Sequence, residues 1–153
     1  MEIIKKNLLK AKENIIVHQV NCMGVMGSGL AKSIKKKYPE VFNGYYHFCK
    51  TNLVEEYFGT ALICEANDDK YIANVFGQIN YGTEERQTDY DRLKQALIEV
   101  KNFAKEKGLS VAIPYKLGCG LAGGDWNIVF DMITEVFNDV ECNIYRYERK
   151  KNG

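Results

Sequence analysis

Residues 15–31, which read IIVHQVNCMGVMGSGLA, decide the fold. Residues 15–21 are a β-branched run with little alternation of apolar and polar side chains, a pattern typical of a central strand covered on both faces. The run leads into a loop that holds three glycines, and Leu30 then begins a helical pattern. This order predicts an anion site, because the free N–H groups of a first helical turn point out of such a loop.

A second glycine cluster lies far downstream, where residues 118–124 read GCGLAGG. It comes three residues after residues 110–114, another predicted buried strand, and it is followed by Asp125, which is placed to cap the next helix. Two glycine loops that each follow a strand suggest a ligand with two phosphates.

Predicted strands and helices alternate along the rest of the chain. Helical periodicity predicts helices at residues 30–37, 39–51, 89–107 and 126–138, and further strands are expected at residues 1–6, 60–65, 71–76 and 142–147, with the middle two joined as a hairpin. The alternation predicts one three-layer α/β/α domain, residues 1–153, with a central mixed, largely parallel sheet. In such sheets the ligand crevice lies at the carboxyl ends of the strands.

Composition excludes several classes of partner. Lys and Arg number 21 against 20 Asp and Glu, so the sequence offers no reason to expect a polyanion-binding surface or a duplex nucleic acid as partner. No window approaches the roughly eighteen apolar residues of a membrane span. Five cysteines without a C-x-x-C spacing, behind a start that lacks a leader pattern, predict a reduced cytoplasmic protein.

Standard nucleotide and metal motifs are missing. The first glycine loop matches neither G-x-x-x-x-G-K-[ST] nor G-x-G-x-x-G. The two histidines, His18 and His47, belong to no group with metal-ligand spacing, so we expect neither a metal ion nor another cofactor.

Three side chains near the glycine loops are chemical candidates. His18 either packs in the core through one satisfied hydrogen bond or reaches the crevice as an acid or base. Asp125 either caps a helix or positions water beside a phosphate, and these two roles are compatible. Cys119 is disfavoured as a nucleophile, since no basic partner lies near it in sequence. The long polar loop of residues 77–89 is expected to cover a ligand.

Four stretches together resemble the macro domains that bind ADP-ribose: residues 18–31, 74–78, 88–93 and 113–126. They span nearly the whole chain in the order found in that family. The branch they resemble contains proteins that process ADP-ribose-1''-phosphate and relatives that release ADP-ribose from acidic side chains or DNA bases.

The resemblance implies a set of ligand contacts. The first loop would wrap the diphosphate and distal ribose with Gly27, Ser28, Gly29 and Leu30, and the second loop would do so with Gly118, Cys119, Gly120, Leu121, Ala122 and Gly123. Asn21 would orient the distal ribose. Asn7, with Leu8, would stand where many members place an adenine-binding Asp, and Tyr147 or Tyr145 would lie against adenine, although a strand tyrosine can serve the core equally well.

Other positions depart from the family pattern. Gly24 stands where the common hydrolases carry the second residue of an Asn-x-x-Asn pair. Gln78 and Ala122 stand near the lysine and aspartate of the branch that acts on acidic side chains. The resemblance therefore leaves His18 and Asp125 as the candidate catalytic pair, which would assist water attack at the phosphate or glycosidic carbon of the distal ribose.

Two functions follow from the resemblance. The first is a hydrolase acting on ADP-ribose-1''-phosphate or on an ADP-ribosyl adduct, with nucleic acid a partner only as an ADP-ribosylated substrate. The alternative is a non-catalytic module that binds ADP-ribose, free or attached to a macromolecule. Single-stranded RNA binding by the tyrosines is a third hypothesis, and the near-neutral charge argues against it.

Overall fold

The strands of the computed structural model, which describes residues 1–147, form one mixed sheet. They are β1 (Ile3–Ile4), β2 (Ile15–Gln19), β3 (Ala61–Glu65), β4 (Tyr71–Val75), β5 (Val111–Pro114) and β6 (Cys142–Tyr145). Their spatial order is β1-β6-β5-β2-β4-β3, and every neighbouring pair is parallel except the β3–β4 hairpin. The predicted mixed, largely parallel sheet is confirmed.

Helices cover both faces of this sheet. They are α1 (Gly29–Lys37), α2 (Pro39–Thr51), α3 (Val54–Tyr57), α4 (Tyr90–Lys107) and α5 (Trp126–Val136), and a 3-10 turn spans Leu8–Lys10. Residues of α1 and α2 pack on one face of the sheet, whereas α4 and α5 pack on the other. The three-layer α/β/α architecture expected from the alternation is therefore confirmed.

The side chains of β2 are buried on both faces, which explains the consecutive apolar residues at positions 15–17. Ile15 and Val17 pack in the cluster that includes Leu97 of α4, while Ile16 packs on the opposite face with Ile34 of α1. Successive side chains of a strand point to opposite faces, so a central strand needs apolar residues at consecutive positions.

Local signals set several helix ends close to their predicted bounds. Asp89 caps α4 by accepting a hydrogen bond from the N–H of Arg92 at 3.0 Å, and Gly108 ends that helix in the left-handed region at φ 66°. Other bounds differ from prediction: α5 ends at Val136, the last strand ends at Tyr145, and α3 was not predicted.

A crevice opens where two neighbouring parallel strands send their chains to opposite faces. β2 continues into α1 and α2 on one face, whereas β5 continues into α5 on the other. Such a switch point leaves space at the carboxyl ends of the two strands. No helix within residues 1–147 is both long enough and apolar enough to cross a bilayer.

We predict that Tyr145→Phe destabilises the fold. The hydroxyl of Tyr145 donates to Glu13 Oε1 at 2.9 Å, both residues are buried, and Glu13 Oε2 has no partner among the described residues. Removing the hydroxyl leaves the buried carboxyl group of Glu13 without this hydrogen-bond donor. The free energy of unfolding should therefore fall by about 1–3 kcal/mol in urea denaturation. Tyr147, which is 65% exposed, is the control, and an equal loss in Tyr147→Phe would contradict this explanation.

Candidate functional site

A cavity of about 530 Å³ lies at the carboxyl ends of β2 and β5. The loops that follow β2, β4 and β5 form its walls. The lining residues are His18 to Asn21, Val25, Gly27 to Ala31, Gln78, Tyr81 to Thr83, Pro114 to Gly118, Leu121 and Ala122. The two sequence-predicted glycine loops therefore face one common space.

The N-terminus of α1 forms part of this wall. Ser28 is the N-cap, with an extended backbone at φ −151° and ψ 162°, but its side chain makes no capping hydrogen bond. The first turn of α1 contains no acidic residue. Because no side chain of the described residues caps these backbone N–H groups, they can donate to an anion in the cavity.

Asn21 holds the first glycine loop in shape. Its Oδ1 accepts hydrogen bonds from the N–H of Met23 at 3.0 Å and of Val25 at 3.3 Å, and from the hydroxyl of Tyr45 at 2.8 Å. Its Nδ2 donates to the carbonyl of Val25 at 2.9 Å. A side-chain amide has two N–H donors, so one donor of Asn21 is left for a ligand.

The second glycine loop folds back on itself. The N–H of Gly124 donates to the carbonyl of Gly118 at 2.9 Å, and a Cβ on Gly124 would lie only 2.6 Å from that oxygen. Gly118 has φ 70°, a conformation that residues with a side chain rarely adopt. Gly118, Leu121 and Ala122 line the cavity, whereas Cys119, Gly120 and Gly123 do not.

Cys119 lacks the environment of a nucleophile. Burial first, and then the negative charge of Asp125, raise the pKa of its thiol to about 11. The thiol donates to the carbonyl of Leu117 at 3.2 Å. It therefore stays protonated at neutral pH, where a nucleophilic cysteine needs the thiolate.

His18 belongs to both the core and the cavity wall. Its Nε2 lies 2.6 Å from Asn74 Oδ1, and Asn74 Nδ2 donates to the carbonyl of Leu62 at 3.0 Å. Asn74 Oδ1 is thus an acceptor, so His18 Nε2 carries the proton and Nδ1 presents a lone pair. Nδ1 is buried and has no partner among residues 1–147. Burial lowers the pKa of His18 to about 4, so the imidazole is neutral at neutral pH.

Asp125 lies outside the cavity lining, at the entry to α5. Its Oδ1 accepts the capping hydrogen bond from the N–H of Asn127 at 2.9 Å, and its own N–H donates to the hydroxyl of Tyr90 at 2.9 Å. The residue is exposed. The predicted cap is present, and it engages Oδ1 of the carboxylate.

The residues predicted to contact adenine also lie outside the lining. Asn7 caps the 3-10 turn by accepting from the N–H of Leu9 at 3.0 Å, and Leu8 is 4% exposed in the core. Tyr147 is exposed. Tyr145 is directed to Glu13.

The cavity includes residues that the sequence analysis did not select. Val25, Tyr115 and Lys116 all line it. Tyr115 and Lys116 directly follow β5, and this position at the carboxyl end of a central strand was a usable signal. Gln78 and Tyr81 come from the loop that was expected to cover a ligand. Within the described part of the chain, no three His, Cys, Asp or Glu side chains cluster as a metal site would require.

Known proteins resemble this chain along most of its length. The model of the Macro domain family matches residues 17–133. A DNA ADP-ribosyl glycohydrolase of Mycobacterium tuberculosis is 32% identical over 146 residues, which cover 91% of this chain and 40% of that protein. The chain therefore spans about two fifths of the length of that relative.

Two further comparisons cover nearly the whole of both chains. An ADP-ribose 1''-phosphate phosphatase of Debaryomyces hansenii is 25% identical over 157 residues, covering 86% of this chain and 87% of that enzyme. The solved structure of the macrodomain of Mycobacterium tuberculosis DarG has a TM-score of 0.80 at 30% identity, covering 94% of this chain and 96% of the other.

We predict that His18 makes the fold sensitive to acid. Its pKa is 6.5 in the unfolded chain and about 4 in the folded protein, so the unfolded state binds more protons between these values. The free energy of unfolding should therefore fall, by on the order of 3 kcal/mol, as pH is lowered from 6.5 to 4. Urea denaturation across this range measures it.

His18→Gln keeps a donor for Asn74 but does not titrate. The part of the acid-induced fall in the free energy of unfolding that comes from His18 should therefore vanish. His47→Gln is the control, because His47 is exposed and is the other histidine of the chain. If the His18 variant retained the full acid sensitivity and the His47 variant lost it, the assignment would be wrong.

Proposed function

Because the chain belongs to the macro domain family, we propose that its cavity binds ADP-ribose and that the protein hydrolyses a group attached to the distal ribose. The observation that carries the proposal is the uncapped N-terminus of α1 in the cavity wall. Relatives named as hydrolases of ADP-ribose derivatives support the proposed hydrolysis.

The charges of the cavity suit a diphosphate. Its lining contains one cationic side chain, Lys116, and no carboxylate. The N–H groups at Gly29 and Leu30 belong to the uncapped first turn of α1, where partial positive charge favours an anion. We therefore place the diphosphate between this turn and the second glycine loop, and we expect the spare amide hydrogen of Asn21 to reach the distal ribose.

His18 and Asp125 are the residues we propose for the chemistry. With a pKa of about 4, His18 serves better as a hydrogen-bond acceptor through Nδ1 than as a group that removes a proton at neutral pH. Asp125 directly follows the second glycine loop, and its cap occupies Oδ1. In this proposal Oδ2 of Asp125 orients the attacking water and accepts its proton.

The substrate is either ADP-ribose-1''-phosphate or an ADP-ribosyl adduct, including an adduct on DNA. The two named relatives divide between these reactions, the phosphatase with the first and the glycohydrolase with the second. A direct comparison of phosphate release with ADP-ribose release decides which bond is cut.

One observation favours the alternative, a module that binds ADP-ribose without turnover. Gln78 stands near the position where some relatives carry a catalytic lysine, but here both ends of its amide are used. Its Oε1 accepts from Gln19 Nε2 at 2.7 Å, and its Nε2 donates to the carbonyl of Asn80 at 2.7 Å. Gln78 is therefore engaged in structure, and catalysis would depend on the two residues proposed above.

We predict that Asp125→Asn abolishes most turnover while leaving ADP-ribose affinity nearly unchanged. Asn is as good an N-cap as Asp, so the variant keeps the start of α5 but loses the base. Turnover should fall by about 100-fold or more. Phosphate release from ADP-ribose-1''-phosphate and ADP-ribose release from modified DNA measure it, beside calorimetric titration with ADP-ribose.

Asp131→Asn is the matched control, since Asp131 is an exposed carboxylate on the same helix. Binding by the wild type without any turnover would leave the binding module as the function. A wild type that fails to bind ADP-ribose would overturn the proposal altogether.

A further inference from the structure

A chain of side-chain hydrogen bonds, centred on Gln19, joins the loops on the two sides of the cavity. Gln19 Nε2 donates to Gln78 Oε1 at 2.7 Å and to Thr88 Oγ1 at 2.9 Å. Thr88 Oγ1 in turn donates to the carbonyl of Gly118 at 2.7 Å. Both amide hydrogens of Gln19 are thus used, and both bond to the loop between β4 and α4; Thr88 then extends the chain to the loop after β5.

Thr88 holds the second glycine loop at two points. Its hydroxyl reaches the carbonyl of Gly118, and the carbonyl of Ala122 accepts from the N–H groups of Gln87 at 2.8 Å and Thr88 at 3.2 Å. Thr88 is 1% exposed, so water does not replace its hydroxyl bond. It is not among the cavity-lining residues, and it therefore affects a ligand only through the loop.

The side-chain carbonyl of Gln19 is confined by close packing against two glycines. Oε1 is buried without a hydrogen-bond partner among the described residues. A Cβ built on Gly77 would lie 2.4 Å from this oxygen, and one on Gly118 would lie 2.9 Å from it. The two glycines thus form a slot for the amide, which explains a glycine at position 77, where φ is not in the left-handed region.

We propose that Gln19 and Thr88 are positioning residues. They set the distance between the loop after β4 and the loop after β5, and so make the cavity fit its ligand. The Gln19 amide fixes Gln78 on one side, and Thr88 fixes Gly118 on the other. This inference rests on the proposed function, because the ligand whose fit is tested is ADP-ribose.

Thr88→Val tests the proposal without touching the cavity lining. The variant keeps the shape of the side chain but removes one of the two donors to the carbonyl of Gly118, which keeps the N–H of Gly124, and leaves one N–H of Gln19 without an acceptor. We expect ADP-ribose affinity to fall about tenfold in calorimetric titration. Amide hydrogen exchange of residues 118–123 in the ligand-free protein should speed up by a similar factor.

Two variants separate positioning from general stability. Thr88→Ser keeps the hydroxyl and should retain most of the affinity and the slow exchange. Thr134→Val removes a hydroxyl that donates to the carbonyl of Phe130 within α5, and it should change neither measurement. Unaltered exchange of residues 118–123 in Thr88→Val would overturn the proposal, whether or not the protein binds ADP-ribose.

A double-mutant cycle tests the slot. Gly77→Ala alone should weaken ADP-ribose binding about tenfold or more, because the new methyl group meets the Gln19 amide. In the Gln19→Ala background the Gln19 amide is gone and Leu93 Cβ, at 3.2 Å, is the one left of the three nearest atoms, so Gly77→Ala should cost several-fold less. Equal losses in both backgrounds would contradict the slot.

If Gly77→Ala does not fold, a folded Gln19→Ala, Gly77→Ala double variant would support the slot, and an unfolded one would contradict it. Failure of the wild type to bind ADP-ribose would remove the proposed function. The hydrogen-exchange comparison would then still decide whether Thr88 holds the loop.

Discussion

The parallel pairing of β2 with β5 is the constraint on which the rest of the structure depends. Ile15 pairs with Val111 and Ile16 with Ala112, and the two strands then continue toward opposite faces of the sheet. Backbone groups beyond a strand end must find other partners, and here glycine loops and the start of α1 present them to a shared cavity. Burial of β2 on both faces places this junction in the packed core.

The last two residues of β2, and Asn21 two residues beyond its end, connect the sheet to the site in three different ways. His18 lies on the face of Ile16 and bonds across the sheet to Asn74, whereas Gln19 lies on the face of Val17 and bonds to Thr88. Asn21, one residue past Val20, closes the first glycine loop through its side-chain amide. The alternation of side-chain direction in a strand turns His18 and Gln19 to opposite faces of the sheet, so they bond to different partners. Residues 18–21 thereby bond to β4, to the loop before α4 and to the first glycine loop.

Recognition and catalysis place different demands on this site. In the proposed function, backbone N–H groups at the start of α1 and Lys116 bind the diphosphate, so a chain with net charge +1 needs no excess of basic residues for it. Catalysis needs a placed base, and the side chains nearest the cavity offer few: Asn21 and Gln78 are bonded within the structure, and His18 has a low pKa. In the proposed function, Asp125 is therefore the residue whose substitution separates a hydrolase from a binding module.

The sequence by itself determined every strand and every helix but α3, their alternation, the two glycine loops and the buried nature of β2, because these follow from local periodicity and from residues adjacent in the chain. Only the tertiary structure decided which side chains meet the cavity. Tyr115 and Lys116 line it, while Asn7, Leu8 and Tyr147 do not. Gln19 and Thr88 are 69 residues apart, and Thr88 and Gly118 are 30 apart. Such contacts depend on strand register and side-chain direction across the whole sheet, which no local pattern encodes.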